Sequence, residues 1–285
     1  MSERDGRMVL ARARVAGPPK EDVSVNGRTA RRGFSRTRTG KVVLPLLAII
    51  ACVVVWWLLT VVTGWSEVLL PAPGDVLSAL WTRHDLILDN TWITLGEVMA
   101  GFALAIVIGV PLGVAIAYSD VVDRMLSPVL FGFNAIPKVA IAPILVVWGG
   151  FGATPKIVMA VLLAFFPIVL STAAGMKAAP AEYRELLRSL DAGPVQTFLH
   201  MRLPASLPHL FVGLKNAITL AAIGAVIGEF VGASEGLGYL VVVSGGSADT
   251  ALGFAAVAVL AATAMALYYL VVVAEAWLIP WADRL

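Results

Sequence analysis

Five ionisable side chains stand in strongly apolar stretches of this chain: Glu97, Lys138, Lys215, Glu229 and Glu275. On insertion scales a charge at mid-membrane depth costs roughly 2.5–3.5 kcal/mol, so each needs a physical reason to be there. Lys138 and Lys215 have asparagines close by, Asn134 and Asn216. Such groups either reach out to water or face a polar route through the protein, which would favour anions. Glu229 lies near one end of its segment, where a structural ion pair is expected. Glu97 and Glu275 stand close enough to segment ends to reach the interface. Other chemistry is absent: there is no Gly-x-x-x-x-Gly-Lys-Ser/Thr phosphate loop, and no serine sits in a nucleophile-elbow pattern. His84, His200 and His209 lack metal-ligand spacing. No catalytic, metal or cofactor-binding residue is therefore assigned.

The other informative stretch is polar, from Ala181 to Pro208, between two apolar segments. Helical spacing puts Glu182, Glu185 and Arg188 on one side and Leu186, Leu187 and Leu190 on another. Asp191-Ala192-Gly193-Pro194 breaks that helix. A second pattern from Val195 exposes Phe198, Leu199 and Met201, and Leu203-Pro204 leads back to the apolar segment. A bent helix pair with an apolar ridge and flanking charges suits insertion into a partner's groove, or it lies flat on a membrane surface.

The elements that position these residues follow from composition. Of 285 residues, 59% are hydrophobic and only 14% charged, with a mean hydropathy of +0.87. A soluble domain carries about 25% charged residues, so an integral membrane protein is indicated. Six apolar segments run near Val42–Thr63, Trp92–Tyr118, Leu126–Trp148, Pro155–Ala174, Leu207–Gly232 and Leu252–Ile279. The loop from Gly64 to Asn90 has one basic residue, Arg83, against Glu67, Asp75, Asp85 and Asp89, and the loop from Ala233 to Thr250 has none. Arg124, Arg184, Arg188 and Arg202 cluster on the opposite side, which places both termini in the cytoplasm. Trp65, Trp92 and Trp148 fall at outer edges, and Trp277 and Trp281 at the inner one, as an aromatic belt requires.

Residues 1–41 hold 11 of the 21 lysines and arginines. Their composition is that of a disordered tail, suited to a topology signal or lipid contact rather than to nucleic acid. Residues 42–285 form the membrane domain. Pro128, Pro137, Pro143, Pro155 and Pro167 predict kinks in the third and fourth spans. Gly224, Gly228 and Gly232 give the fifth span one smooth packing face. Asp75 is placed to cap a short interfacial helix with Val76, Leu77, Leu80 and Trp81 on one face. On these residues alone, a membrane scaffold docking a cytoplasmic protein and a stand-alone secondary carrier both stay open.

The polar loop resembles the coupling loop of permease subunits of bacterial ABC importers: Glu-Ala-Ala, three residues, Gly, nine residues, Ile-x-Leu-Pro. Here Glu185-Leu186-Leu187 stands at Glu-Ala-Ala, Asp191 at the glycine, Met201 at the isoleucine and Leu203-Pro204 at Leu-Pro. The coupling loop spans about 178–206. Ile136-Pro137-Lys138-Val139-Ala140-Ile141-Ala142-Pro143 with Trp148-Gly149, and Gly228-Glu229-Phe230 with Gly236-Leu237-Gly238-Tyr239, resemble the nitrate/sulfonate/taurine branch. That branch includes carriers of pyrimidine vitamin precursors. The resemblance covers about residues 65–280.

It implies an all-α fold of six transmembrane helices like a type I importer permease, in the inner membrane, working as a homodimer. It also implies cytoplasmic ATPase subunits that hold ATP and Mg, a periplasmic or lipid-anchored solute-binding protein, and a small polar solute. The solute would be a sulfonate-, taurine- or nitrate-like anion or a pyrimidine vitamin precursor. Glu185, Leu186, Leu187, Arg188, Asp191, Gly193, Leu203 and Pro204 then carry ATPase coupling. Asn134, Lys138, Lys215, Asn216 and Glu229 are the pathway candidates.

Overall fold

The computed structural model describes residues 38–179 and 181–281, so most of the basic tail of residues 1–41 lies outside the described residues. Among the described residues all regular structure is helical. The helices are α1 (Arg38–Thr63), α2 (Pro73–Thr82), α3 (His84–Tyr118), α4 (Asp120–Ala135), α5 (Ala142–Gly149), α6 (Ala153–Lys177), α7 (Ala181–Ser189), α8 (Pro194–Thr197), α9 (Leu203–Gly232), α10 (Leu237–Gly246) and α11 (Thr250–Leu278). The chain divides into two units, Met1–Cys52 and Val53–Leu285. In the first, residues Leu46 to Ile50 of α1 expose an apolar surface, as a lipid-facing helix does.

Five of the six expected spans are continuous, and the sixth is broken. Long apolar helices occupy Leu46–Thr63, His84–Tyr118, Ala153–Lys177, Pro194–Gly232 and Thr250–Leu278, whereas Asp120–Ala135 and Lys138–Gly149 meet at an 80° bend. Pro137 causes the break: it has no N–H to continue α4 and forces Ile136 into an extended conformation, with φ −68° and ψ 130°. A short 3₁₀ turn over Lys138–Ile141 then leads into α5. Pro128, Pro111 and Pro167 sit inside unbroken helices.

Several boundaries differ from the hydropathy expectation, among them the start of α4 at Asp120 rather than Leu126. α3 starts at His84 rather than Trp92, because its first turns carry Asp85, Asp89 and Asn90 and so escape an apolar window. α9 starts at Leu203, with Leu203-Pro204 as its opening residues rather than a break. In α2, Asp75 Oδ2 accepts the Ala72 N–H at 3.0 Å. Val76 is buried, but Leu77 and Trp81 point outward, 66% and 83% exposed, so the expected single apolar face is split in two.

α6 lies between α3 and α9 and packs most extensively with both. Val98, Phe102 and Ala105 of α3, Ala160, Ala164 and Ile168 of α6, and Ile218, Ala221 and Ala225 of α9 form one core. Small residues allow this close approach. A Cβ on Gly224 would stand 2.6 Å from the Met159 carbonyl oxygen, and one on Gly228 would stand 2.7 Å from Lys156 Cα. Without a hydrophobic drive between helices in lipid, such tight van der Waals contact is what holds them.

Candidate functional site

The polar loop between α6 and α9 is sharply bent and continuous with a membrane span. α7 ends in a left-handed residue, Asp191, with φ 54°. The Ala192 N–H returns to the Leu187 carbonyl at 3.0 Å, the long bond of a Schellman closure. Aspartate tolerates this geometry better than most L-residues, so the bend expected of a hinge glycine is kept. Gly193 has φ −66° and opens α8 as its N-cap. From Pro194 the helix runs without interruption to Gly232, passing a π-helical turn at Phe198–Arg202. Displacing α8 therefore displaces the root of a membrane span.

Three contacts brace the base of this loop. The Arg202 guanidinium lies 4.4 Å over the Tyr118 ring, and Phe198 meets the same tyrosine at 6.1 Å between ring centroids. Lys177, in the last turn of α6, donates to Asp123 Oδ2 at 2.5 Å. Glu185 is exposed and Leu187 is half-buried; the side chains of Leu186 and Arg188 lie outside the described residues. Met201 is turned inward, 8% exposed, and among the described residues the exposed large apolar side chains of the loop are Tyr183, Leu190, Val195 and Leu199. A largely apolar cavity of about 420 Å³ is lined by Tyr183, His200, Met201, His209 and Trp281.

The pathway candidates separate into two groups. Lys138 Nζ donates to Asn134 Oδ1 at 2.6 Å at the break of the third span. That span buries only Ala142 among its described residues, so its face stands open. Asn216 is on an exposed stripe of α9 with Val212, Thr219 and Ile223. Lys215, one residue away, turns to α11 and donates to Glu275 Oε2 at 2.7 Å. Its charge is thus already answered, and Glu275 serves a partner rather than the interface. Glu229 is 1% exposed and faces no open route.

Glu229 belongs instead to a buried polar network at the outer end of the bundle. Asn90, Thr94 and Glu97, one helical stripe of α3, line up against the start of α10. Asn90 Oδ1 accepts the Gly236 N–H at 2.6 Å, Thr94 Oγ1 accepts the Leu237 N–H at 2.8 Å, and Glu229 Oε2 accepts the Gly238 N–H at 2.5 Å. Three successive backbone donors at a helix start are thereby satisfied. Thr94 Oγ1–H donates to Glu229 Oε1 at 2.6 Å. Lys156 Nζ donates to Glu97 Oε1 at 2.6 Å and to the Glu235 carbonyl at 3.4 Å.

The ion pair expected for Glu229 is replaced by these hydrogen bonds, and Glu97 is buried rather than interfacial. Gly236 and Gly238 make room, since a methyl on either would overlap the Glu229 carboxyl group. Asn90, Thr94 and Lys156 were missed in the sequence. Their only signal was polarity at helical spacing beside apolar segments.

Residues 105–284 match the family described as "Binding-protein-dependent transport system inner membrane component". The formylaminopyrimidine transport permease protein ThiX of Halalkalibacterium halodurans is 35% identical over 68% of this chain and 78% of its own length. The riboflavin transport system permease protein RibX of Chloroflexus aurantiacus is 34% identical over 80% of this chain and 86% of its own. The fold resembles that of a solved inward-facing MetNI methionine ABC transporter, with a TM-score of 0.57 at 23% identity, covering 70% of this chain and 97% of that one.

Proposed function

The chain belongs to the family of inner membrane components of binding-protein-dependent transport systems, and on that premise we propose a division of labour among its parts. It is a multi-pass permease of an ABC importer in the plasma membrane. Two copies pair across the open face of the broken span and α9, enclosing a path past Asn134, Lys138 and Asn216. A separate ATPase subunit in the cytoplasm holds ATP and Mg and receives α7 and α8. A periplasmic or lipid-anchored solute-binding protein delivers cargo to the outer side. Closure of the ATPase pair draws the levers together and moves α9, which switches access across the membrane.

The observation that carries this is the Asp191 bend followed by one helix from Pro194 to Gly232. It gives the docking segment a rigid connection to a span. The proposed cargo is a polar nitrogen heterocycle, as are the formylaminopyrimidine and riboflavin in the names of the relatives at 35% and 34% identity. A sulfonate- or nitrate-like anion is the alternative, favoured by the open position of Lys138.

The test is a reconstituted complex carrying Glu185→Lys with Leu187→Asp. We expect loss of ATPase co-purification and of uptake, with the thermal stability of the permease retained. Intact co-purification and uptake would overturn the docking assignment. Mass spectrometry of the solute retained by the binding protein decides between the two cargo classes.

A further inference from the structure

The outer network holds more negative charge than its hydrogen bonds account for. Two carboxyl groups, Glu97 and Glu229, share one cation, Lys156, and all three residues are at most 4% exposed. Glu229 accepts throughout. Its Oε2 takes a backbone N–H, which cannot act otherwise. Its Oε1 accepts the Thr94 hydroxyl hydrogen, and the Thr94 oxygen in turn accepts the Leu237 N–H. Glu97 differs. Its Oε1 accepts from Lys156, but its Oε2 is buried with no partner that a carboxylate oxygen could use. Besides Lys156, the side chain that the Glu97 carboxyl group interacts with is Glu229's. Two carboxylates cannot hydrogen-bond each other, whereas a carboxylic acid and a carboxylate form a short, strong bond.

We propose that the outer network is a proton-binding site, with the proton held on Glu97 Oε2 and donated to Glu229. The assignment gives the orphaned oxygen a role and brings the buried charges to a sum of zero. An uncompensated ion in a low-dielectric interior costs several kcal/mol, so neutrality is the stable condition. The charged groups are Glu97 from α3, Lys156 from α6 and Glu229 from α9. The connection to α10 supplies the Glu235 carbonyl, and α10 with its N-cap supplies backbone N–H groups. The proton thus ties α3 to α9, and through Glu229 it ties both to the start of α10. Its loss in alkali sets two carboxylates against each other and releases that outer turn.

The experiment is infrared spectroscopy of the full-length permease in lipid, with ¹³C-labelled glutamate, across a pH series. We expect a protonated-carboxyl band at neutral pH that shifts with the label, fades in alkali and is absent from Glu97→Gln. It persists in Glu275→Gln. A wild-type protein without the band, or a band unchanged in Glu97→Gln, overturns the proposal. Thermal unfolding gives a second readout. Glutamine at position 97 reproduces both the acceptor toward Lys156 and the donor toward Glu229, so Glu97→Gln matches wild type at neutral pH and loses the alkaline decline. If Glu97→Gln were as destabilised as Glu97→Ala, Glu97 would be a carboxylate and the proton assignment would be wrong.

Discussion

Substituting valine for Asp191 is expected to disable the lever while leaving the membrane bundle intact. The residue has φ 54° and closes α7 through the 3.0 Å bond from the Ala192 N–H to the Leu187 carbonyl. A left-handed conformation costs an ordinary L-residue roughly 1–2 kcal/mol, and β-branching makes it harder still. The closing hydrogen bond is lost only with the bend itself, so the strain sets the change: about 1–2 kcal/mol against the bent state, or roughly a 5- to 30-fold drop in its population relative to wild type. Glycine at the same position relieves the strain but gains freedom in the unfolded chain, so Asp191→Gly stays within about 0.5 kcal/mol of wild type.

Gly193→Ala is the neighbouring control, because φ there is −66° and nothing lies within 4 Å of an added Cβ. The assay is the affinity of the permease in lipid nanodiscs for its ATPase subunit, together with solute-stimulated ATP hydrolysis. An Asp191→Val protein that binds within twofold of wild type, or an Asp191→Gly protein as weak as the valine variant, would refute the reasoning.

Two further outcomes follow from the spans. Gly236→Ala puts a side chain where φ is 114° and ψ 163° and drives a methyl into the Glu229 carboxyl group. The backbone strain alone costs about 1–3 kcal/mol, so thermal unfolding should occur at clearly lower temperature. Gly245→Ala, with open space around it, should unfold like wild type. Lys215→Met leaves Glu275 without its 2.7 Å partner and should cost about 2 kcal/mol. Adding Glu275→Leu should recover most of that without altering which solutes are taken up. Changed solute selectivity in the double variant would return Lys215 to the pathway.

Local regularities were legible without coordinates. The basic and acidic loops, the tryptophan belts and the apolar windows each depend on residues near one another in the chain. They located the spans to within a few residues, except where polar first turns hid the starts of α3 and α4. The break at Pro137 and the bend at Asp191 were equally local. One is set by a missing N–H and the other by the backbone tolerance of a single residue. The bent helix pair of the polar loop could therefore be read from spacing. Its inward-turned Met201 could not, because the π-helical turn shifts the register of everything that precedes α9.

By itself, then, the sequence determined the membrane class, the spans and the bend at Asp191. Only the tertiary structure decided which polar groups of the spans meet. Glu97 finds Lys156 across 59 positions, Lys215 finds Glu275 across 60, and Thr94 finds Glu229 across 135. The physical reason is helix rotation. Successive residues point about 100° apart, so Lys215 turns to α11 while Asn216 faces outward. Hydropathy records how apolar a helix is, but not how it is turned about its own axis. That angle is set by the small residues where α3, α6 and α9 touch, and it makes Glu229 part of a closed network rather than of an open path.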